Sequence, residues 1–318
     1  MKILITGGAG FIGSHLCEIL LKNHHNIICI DNFCDFYDPK IKEQNIKNIS
    51  LYPNFSLFKI NIVDYKSLEN IFMKNNIDLV IHFAAMAGVR TSIENPLLYT
   101  NVNINGTMNL LELCRIYCIK KFIFASSSSI YGNNDKVPFS EDDIVDNPIS
   151  PYAATKKAGE LLCHTYHILY DISVICLRFF SVYGPRQRPD LAIHKFTNLI
   201  LENKEIPIYG NGETQRDYTY IDDVLDGILK SIDYVFVGNK YHVFNIGESE
   251  TVTLAKMVEH LELNLGRKAK KKYLPLQAGD VAKTYADISK SRKILKYNPS
   301  TKFEEGIKKF IQWKLATS

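Results

Sequence analysis

No uninterrupted apolar run in the 318-residue chain approaches the roughly 18 residues of a membrane-spanning helix. The opening MKILITGGAG turns strand-like at once, which leaves no room for a basic segment and an apolar stretch of signal-peptide length. Internal repeats, low-complexity tracts and linkers are missing as well. Together these absences predict a cytoplasmic globular protein. Strong charge of either sign is also lacking. A formal charge of +4 suits an anionic small molecule and argues against nucleic acid or a membrane surface as partners. The hydrophobic share of 46% and charged share of 23% are ordinary for a globular enzyme with a sizeable core.

The seven cysteines are Cys17, Cys29, Cys34, Cys114, Cys118, Cys163 and Cys176. The number is odd and most stand in apolar contexts, so reduced core thiols are expected. Cys114 and Cys118 lie four apart and are expected to share a helix face. Two thiols without further ligands make a poor zinc site, and no metal is expected. A local absence carries more information. The stretch FASSSSIYG, Phe124 to Gly132, sets four serines behind an apolar strand with no carboxylate among them.

The first half alternates apolar runs with helix-period segments. KILIT, NIICID, FSLFKI, DLVIHFA, KFIFASS and SVICLRF read as buried strands. FIGSHLCEILLKN, YKSLENIFMKN, VNINGTMNLLELCRIYC and SPYAATKKAGELLCHTYHIL read as helices between them. That alternation predicts an α/β fold, a Rossmann-type doubly wound parallel sheet covered on both faces. Beyond about Ser181 the pattern loosens into the turn-rich SVYGPRQRPD and GNGETQRDYT. The expected layout is a nucleotide-binding domain over 1–180, with about 217–247 returning to it, and a smaller α/β substrate-binding domain over most of 181–318.

Directly after the first strand comes GGAGFIG, with Gly7, Gly10, Phe11, Ile12 and Gly13 opening a helix. Glycines there allow a tight turn and close backbone approach to a pyrophosphate, whose charge the helix N-terminus then faces. The flanking strand and helix make the signal strong. The second strand ends at Asp31-Asn32, where a carboxylate accepts from an adenosine ribose and repels a 2′-phosphate; NAD is the expected cofactor.

Tyr152-Ala153-Ala154-Thr155-Lys156 follows Ser150-Pro151, and proline suits a helix start. One helical turn places the Tyr152 and Lys156 side chains on a shared face. An ammonium beside a phenol favours phenolate. Such a phenolate takes a proton from an alcohol while hydride leaves the same carbon.

On these motifs the chain resembles, along essentially its whole length, the nucleotide-sugar epimerases of the extended short-chain dehydrogenase/reductase family. The resemblance implies that Ser127 completes a Ser-Tyr-Lys set by hydrogen bonding to the reacting oxygen. It implies cofactor contacts from Asn103, from Phe83-Ala84-Ala85 under the NAD, and from Phe179. Where the family commonly has Asp-Ile touching adenine, this chain has Asn61-Ile62; an asparagine carbonyl still accepts from an amine. Related 4,6-dehydratases carry Asp-Glu directly after the catalytic Ser or Thr, and UDP-glucuronate decarboxylases a Glu two places after it. Ser128 and Ser129 stand there instead. The serine row therefore points to oxidation and re-reduction at C4 without elimination. Ser126 and Ser129 are read as either functional or merely turn-forming serines.

The run from Arg178 to Ala192 is similar to that of UDP-glucuronate 4-epimerases, as are Met86 to Pro96 and Asn32 to Pro39. A uronate carboxylate is planar and anionic, so Arg188 is expected to meet it through a fork, with Ser181 as a second donor. Oxidation at C4 creates a β-keto acid, and a fixed carboxylate keeps its C–C bond from aligning with the ketone. Arg90 is read as a second substrate arginine or, equally, a structural one. The resemblance further implies Arg216 on the diphosphate, Tyr209 stacked on uracil, and Ser128 and the motif Gln277-Ala278-Gly279-Asp280 on the substrate. It implies a homodimer joined through helices near 97–116 and 151–168. The basic run 267–272 is read as a solvated face. The expected reaction is NAD-dependent conversion of UDP-glucuronate to UDP-galacturonate through a 4-keto intermediate. UDP-glucose or UDP-N-acetylglucosamine epimerisation, UDP-glucuronate decarboxylation and a non-catalytic NAD-sensing role are the alternatives.

Overall fold

The computed structural model describes residues 1–275 and 279–317. It divides into two compact units. The first holds 1–132, 144–178 and 228–244; the second holds 133–143, 179–227 and 245–318. One boundary between the units lies at 178/179. Two segments differ from expectation. The stretch 133–143 belongs to the second unit, because Phe139 bridges to Ala286 and Glu141 accepts from the Asn245 N–H at 2.7 Å. The returning segment is 228–244 rather than 217–247. Asp217 is buried and takes the N–H groups of Glu248, Ser249 and Ala286, which anchors it in the second unit.

The first unit is built on β1 (Lys2–Thr6), β2 (Asn26–Ile30), β3 (Phe55–Phe58), β4 (Leu79–His82), β5 (Lys121–Ser127) and β6 (Ser173–Phe179). A seventh strand, Tyr241–Ile246, completes a sheet of order Tyr241–Ile246, β6, β5, β4, β1, β2, β3. β1 pairs in parallel with both β2 and β4, so the strand order reverses beside it. Ligand-binding crevices form at such a reversal, at the carboxyl ends of the strands. The strand residues Ile3, Leu4, Ile5, Leu79, Val80, Ile81, Phe122 and Ile123 are wholly buried. Continuous apolar runs are what a parallel sheet covered on both faces demands. YHVFNI escaped the sequence reading because its His and Asn interrupt that run.

Helix α1 (Phe11–Lys22) follows β1, and the helix Pro151–Tyr170 packs on β5. Gly159 in that helix has no alternative, since a Cβ there would stand 2.3 Å from Phe124 Cζ. The next residue, Glu160, forms a two-pronged pair with Arg178 of β6 at 2.9 Å on each prong, both side chains 3% exposed. The helix Gly106–Ile116 stops before Cys118, which has φ of +56° and is exposed. Cys114 and Cys118 therefore do not share a helix face: the chain has already turned, with the Ile119 N–H returning to the Cys114 carbonyl.

The second unit carries three two-stranded pairings. Ser181–Tyr183 runs parallel to Tyr218–Tyr220, Gln215–Arg216 antiparallel to Val252–Thr253, and Glu205–Tyr209 parallel to Lys270–Leu274. The GNGETQRDYT loop thus contains strand pairing that its glycines and polar residues concealed. Lys270 to Lys272 lie exposed on their strand, while Lys271 meets Glu262 and Lys272 meets Glu205. Among the described residues no helix is long and apolar enough to cross a membrane.

Candidate active site

The loop between β1 and α1 turns on Gly7, whose φ is +69° and whose Cβ would lie 2.8 Å from the Ala84 nitrogen. Gly13 packs on the loop from within the helix; a Cβ there would meet the Gly7 carbonyl at 2.3 Å. Gly10 is the N-cap of α1 and supplies no side-chain hydrogen bond. Phe11 and Gly13 are buried and Ile12 half-buried in the first turn. An uncapped helix start reached through glycines is a fitting seat for a pyrophosphate.

Asp31 is buried at the end of β2. Its Oδ1 accepts from the Phe33 N–H at 3.0 Å and from Lys42 Nζ at 2.7 Å; the Ala9 N–H reaches Oδ2 at 3.3 Å. Lys42, on the helix Pro39–Ile46, is itself buried. Nothing in DPKIKEQNI marks one lysine as folded inward. Asn32 is exposed, and its Oδ1 takes the Cys34 N–H. Asn61 Oδ1 likewise takes the Val63 N–H at 3.2 Å, shaping the entry to the helix Tyr65–Lys74. Ile62 is buried against Gly106, with its carbonyl held by Asn109 Nδ2 at 3.0 Å.

The Ser150 side chain caps the helix Pro151–Tyr170 through the Ala153 N–H, and Pro151 starts it. Tyr152 is half-buried, edge-on to the Tyr99 ring at 6.2 Å between centroids. Lys156 is buried, with Nζ 6.0 Å from the Tyr152 ring centroid, 5.1 Å from that of Phe124, and 2.7 Å from the Ala125 carbonyl it donates to. Burial away from water lowers its pKa to about 8. Ser127 ends β5 and accepts from both the N–H and the hydroxyl of Ser129. Ser128 begins the short turn Ser128–Tyr131. Ser126 is no turn former: its hydroxyl donates to Glu160 at 2.6 Å inside the unit. The Arg178 guanidinium that pairs with Glu160 also donates to the Tyr131 hydroxyl.

Asn103 is buried in a single wide turn, Asn101–Asn105. It accepts from the Met86 N–H and donates to the Met86 carbonyl and to Thr155 Oγ1, each within 3.0 Å. Thr155 in turn donates to the Tyr152 carbonyl. Asn103 therefore ties the loop after β4 to the helix bearing Tyr152. Beneath it, the Thr107 hydroxyl donates to the Asn103 carbonyl, so His82 Nε2 donates to Thr107 and His82 Nδ1 accepts from Thr6. The Thr6 oxygen then takes the Ala84 N–H. Burial holds His82 neutral, with its pKa pushed down to about 3. Phe83 and Ala85 flank Ala84, and the Phe83 N–H bonds the Thr6 carbonyl. The family resemblance implies a role for Asn103, whereas nothing in the sequence marks His82. Arg90 is exposed on the helix Val89–Glu94.

In the second unit, Ser181 donates its N–H to the Asp217 carbonyl at 3.0 Å. Phe179 is buried. Arg188 grips its own neighbour Asp190 with two prongs, Nε at 2.9 Å and Nη2 at 2.6 Å. Its fork is thus set for a carboxylate. Tyr209 and Arg216 are half-buried, and Arg216 Nη1 donates to the Gln215 carbonyl. Asp280 is half-buried; Gln277 and Ala278 lie outside the described residues. Among the described residues no cluster of three or more His, Cys, Asp or Glu is arranged for a metal.

A lysine whose pKa falls on folding binds fewer protons in the native state between about 8 and its ordinary 10.5, so stability rises with pH across that window. Lys156→Met removes this dependence. Comparing urea midpoints of cofactor-free wild type and variant at pH 7 and pH 10.5, the balance moves toward wild type by about 3 kcal/mol at the higher pH. A pH-independent difference would mean that the ammonium is not desolvated.

Comparison with known proteins places this geometry. The family model described as GDP-mannose 4,6 dehydratase matches residues 4–310. A UDP-glucuronate 4-epimerase of Thermodesulfobacterium geofontis is 43% identical over 98% of this chain and 95% of its own. The crystal structure of UDP-glucuronic acid 4-epimerase from Bacillus cereus, in complex with UDP-glucuronic acid and NAD, superposes with TM-score 0.93 at 38% identity, covering 100% of both chains. UDP-glucose 4-epimerase from Thermotoga maritima with UDP-glucose gives TM-score 0.91 at 35% identity, over 100% of this chain and 99% of that one. With its glycine loop, its Tyr152–Lys156 pair and its seven-stranded sheet, the chain belongs to the extended short-chain dehydrogenase/reductase family, in the group that the GDP-mannose 4,6-dehydratase model describes.

Proposed function

We propose that the protein is an NAD-dependent UDP-glucuronate 4-epimerase that interconverts UDP-glucuronate and UDP-galacturonate. The carrying observation is the buried Lys156 beside Tyr152, at the end of a strand whose serine row offers no carboxylate. The full-length likeness to UDP-glucuronate 4-epimerases supports it. A dehydratase needs acids after Ser127 to eliminate water, and Ser128 and Ser129 cannot supply them.

The residues present fit NAD: the uncapped start of α1 for its pyrophosphate, and Asp31 with Lys42 for its ribose. When bound, NAD would supply the acceptor and then the donor of the C4 hydride. The chain's own part is proton handling and positioning. Tyr152 removes the O4 proton and later restores it. Lys156 supplies the positive field that favours phenolate. Ser127 donates to the same oxygen. Arg188, assisted by Ser181, exchanges the Asp190 carboxylate for that of the uronate and holds it out of conjugation with the C4 ketone. Arg216, Tyr209 and Asp280 are assigned to the nucleotide half, and Ser128 and Arg90 to the sugar.

We also assign a homodimer. Leu97, Leu161, Ile168 and Leu169 are exposed at 83%, 56%, 62% and 62%, on the Pro96–Thr100 and Pro151–Tyr170 helices. Apolar side chains gathered on helix surfaces mark a partner face.

Purified protein given UDP-glucuronate without added cofactor yields UDP-galacturonate, resolved by anion exchange, and no appreciable CO₂. Tyr152→Phe lowers kcat by at least ~100-fold. Strict preference for UDP-glucose or UDP-N-acetylglucosamine would replace the uronate assignment with the neutral-sugar one. Arg188→Ala raises KM for UDP-glucuronate about tenfold, the loss of one charge-assisted contact, and lets a decarboxylated pentose appear. An unchanged KM with no pentose would remove Arg188 from the substrate. In sedimentation velocity the wild type runs as a dimer, and Leu97→Glu with Leu161→Glu shifts it to monomer; a monomeric wild type would end the dimer assignment.

A further inference from the structure

Ser127 Oγ receives two hydrogen bonds from a single neighbour. The Ser129 N–H reaches it at 3.2 Å and the Ser129 hydroxyl at 2.9 Å. A serine oxygen has two lone pairs and one proton. With both lone pairs engaged, Ser127 keeps only its proton for anything else. The turn that enforces this is the segment Ser128–Tyr131, for which Ser127 is the N-cap. Ser126, one residue back, is committed elsewhere, to Glu160.

We propose that Ser129 is a positioning residue for the epimerisation: its hydroxyl fixes Ser127 as a one-way donor toward the reacting oxygen. The proposal rests on the reading of Ser127 given above. A hydroxyl that already accepts hydrogen bonds is polarised into a better donor. The substrate O4 is an alcohol in the ground state and carries growing negative charge as its proton passes to Tyr152. A donor contact to it strengthens along that path. Its loss is therefore felt in kcat and little in KM. The same contact explains why position 129 carries a hydroxyl rather than any small residue that would suit a turn.

The test uses three variants of the whole enzyme, assayed with UDP-glucuronate. Ser129→Ala keeps the backbone N–H bond to Ser127 and hence the turn. It is expected to lower kcat about fivefold, one net hydrogen bond's worth, with KM changed less than about twofold. Ser129→Thr keeps the hydroxyl and is expected to restore kcat to within about twofold of wild type. Ser127→Ala calibrates the assay and is expected to cost at least ~tenfold in kcat. A silent Ser129→Ala beside a damaging Ser127→Ala overturns the positioning role and leaves Ser127 standing. So does a loss in KM alone, or a Ser129→Thr no better than alanine, since either marks space filling. A silent Ser127→Ala overturns the reading of Ser127 and the proposal with it.

Discussion

Taking the Lys156 ammonium out of water is the constraint on which the first unit is organised. An isolated buried charge is costly, and this one is met by the Ala125 carbonyl at 2.7 Å and the Phe124 ring face. Those partners lie on β5, so the helix Pro151–Tyr170 must sit directly on that strand. Gly159 permits the approach by offering Phe124 no side chain to strike. Neutral His82, 5.8 Å from Phe124, adds no second positive charge to the same interior. Lys156 thus stands as a cation beside Tyr152.

Two polar assemblies keep that arrangement rigid. One joins Ser126, Glu160, Arg178 and Tyr131 across β5, the helix and β6. Removing one member of a buried pair strands its partner's charge, which makes such groups mutually dependent. The other runs from Thr6 through His82 and Thr107 to Asn103, and on through Thr155 to the Tyr152 carbonyl. Every donor in it has an acceptor and every direction is determined. Thr6, at the end of β1, and the Tyr-bearing helix are thereby linked through buried side chains.

Much of this was legible in the sequence, for definite reasons. Five of the seven sheet strands carry an uninterrupted apolar run of three or more residues, as burial on both faces requires, and Phe55–Phe58 is broken only by the exposed Ser56. The seventh, Tyr241–Ile246, carries polar residues that tertiary context satisfies: Asn245, for one, donates to the Phe139 carbonyl. Gly7, Gly10, Gly13, Tyr152 and Lys156 were readable because spacing alone places them. Lys42 and His82 were not, since a lysine in a charged helix and a histidine in an apolar strand announce no partner. Arg188 is expected to fork onto a uronate carboxylate, whereas the fork seen here closes on Asp190, two residues on in a turn-rich run. The unit boundary at 133–143 depends on a bridge to Ala286, a separation no local pattern encodes.

The four serines divide their labour by strand alternation. Ser126 points with Phe124 toward the helix and is bound into the scaffold, whereas 127 to 129 sit where the strand gives way to a turn. Stability and reaction type are thus written on adjacent letters that do not interfere. A lineage could exchange the hydroxyls at 128 and 129 for acids and acquire elimination chemistry without disturbing the frame beneath. Divergence of catalysis within one architecture needs no more than such a seam.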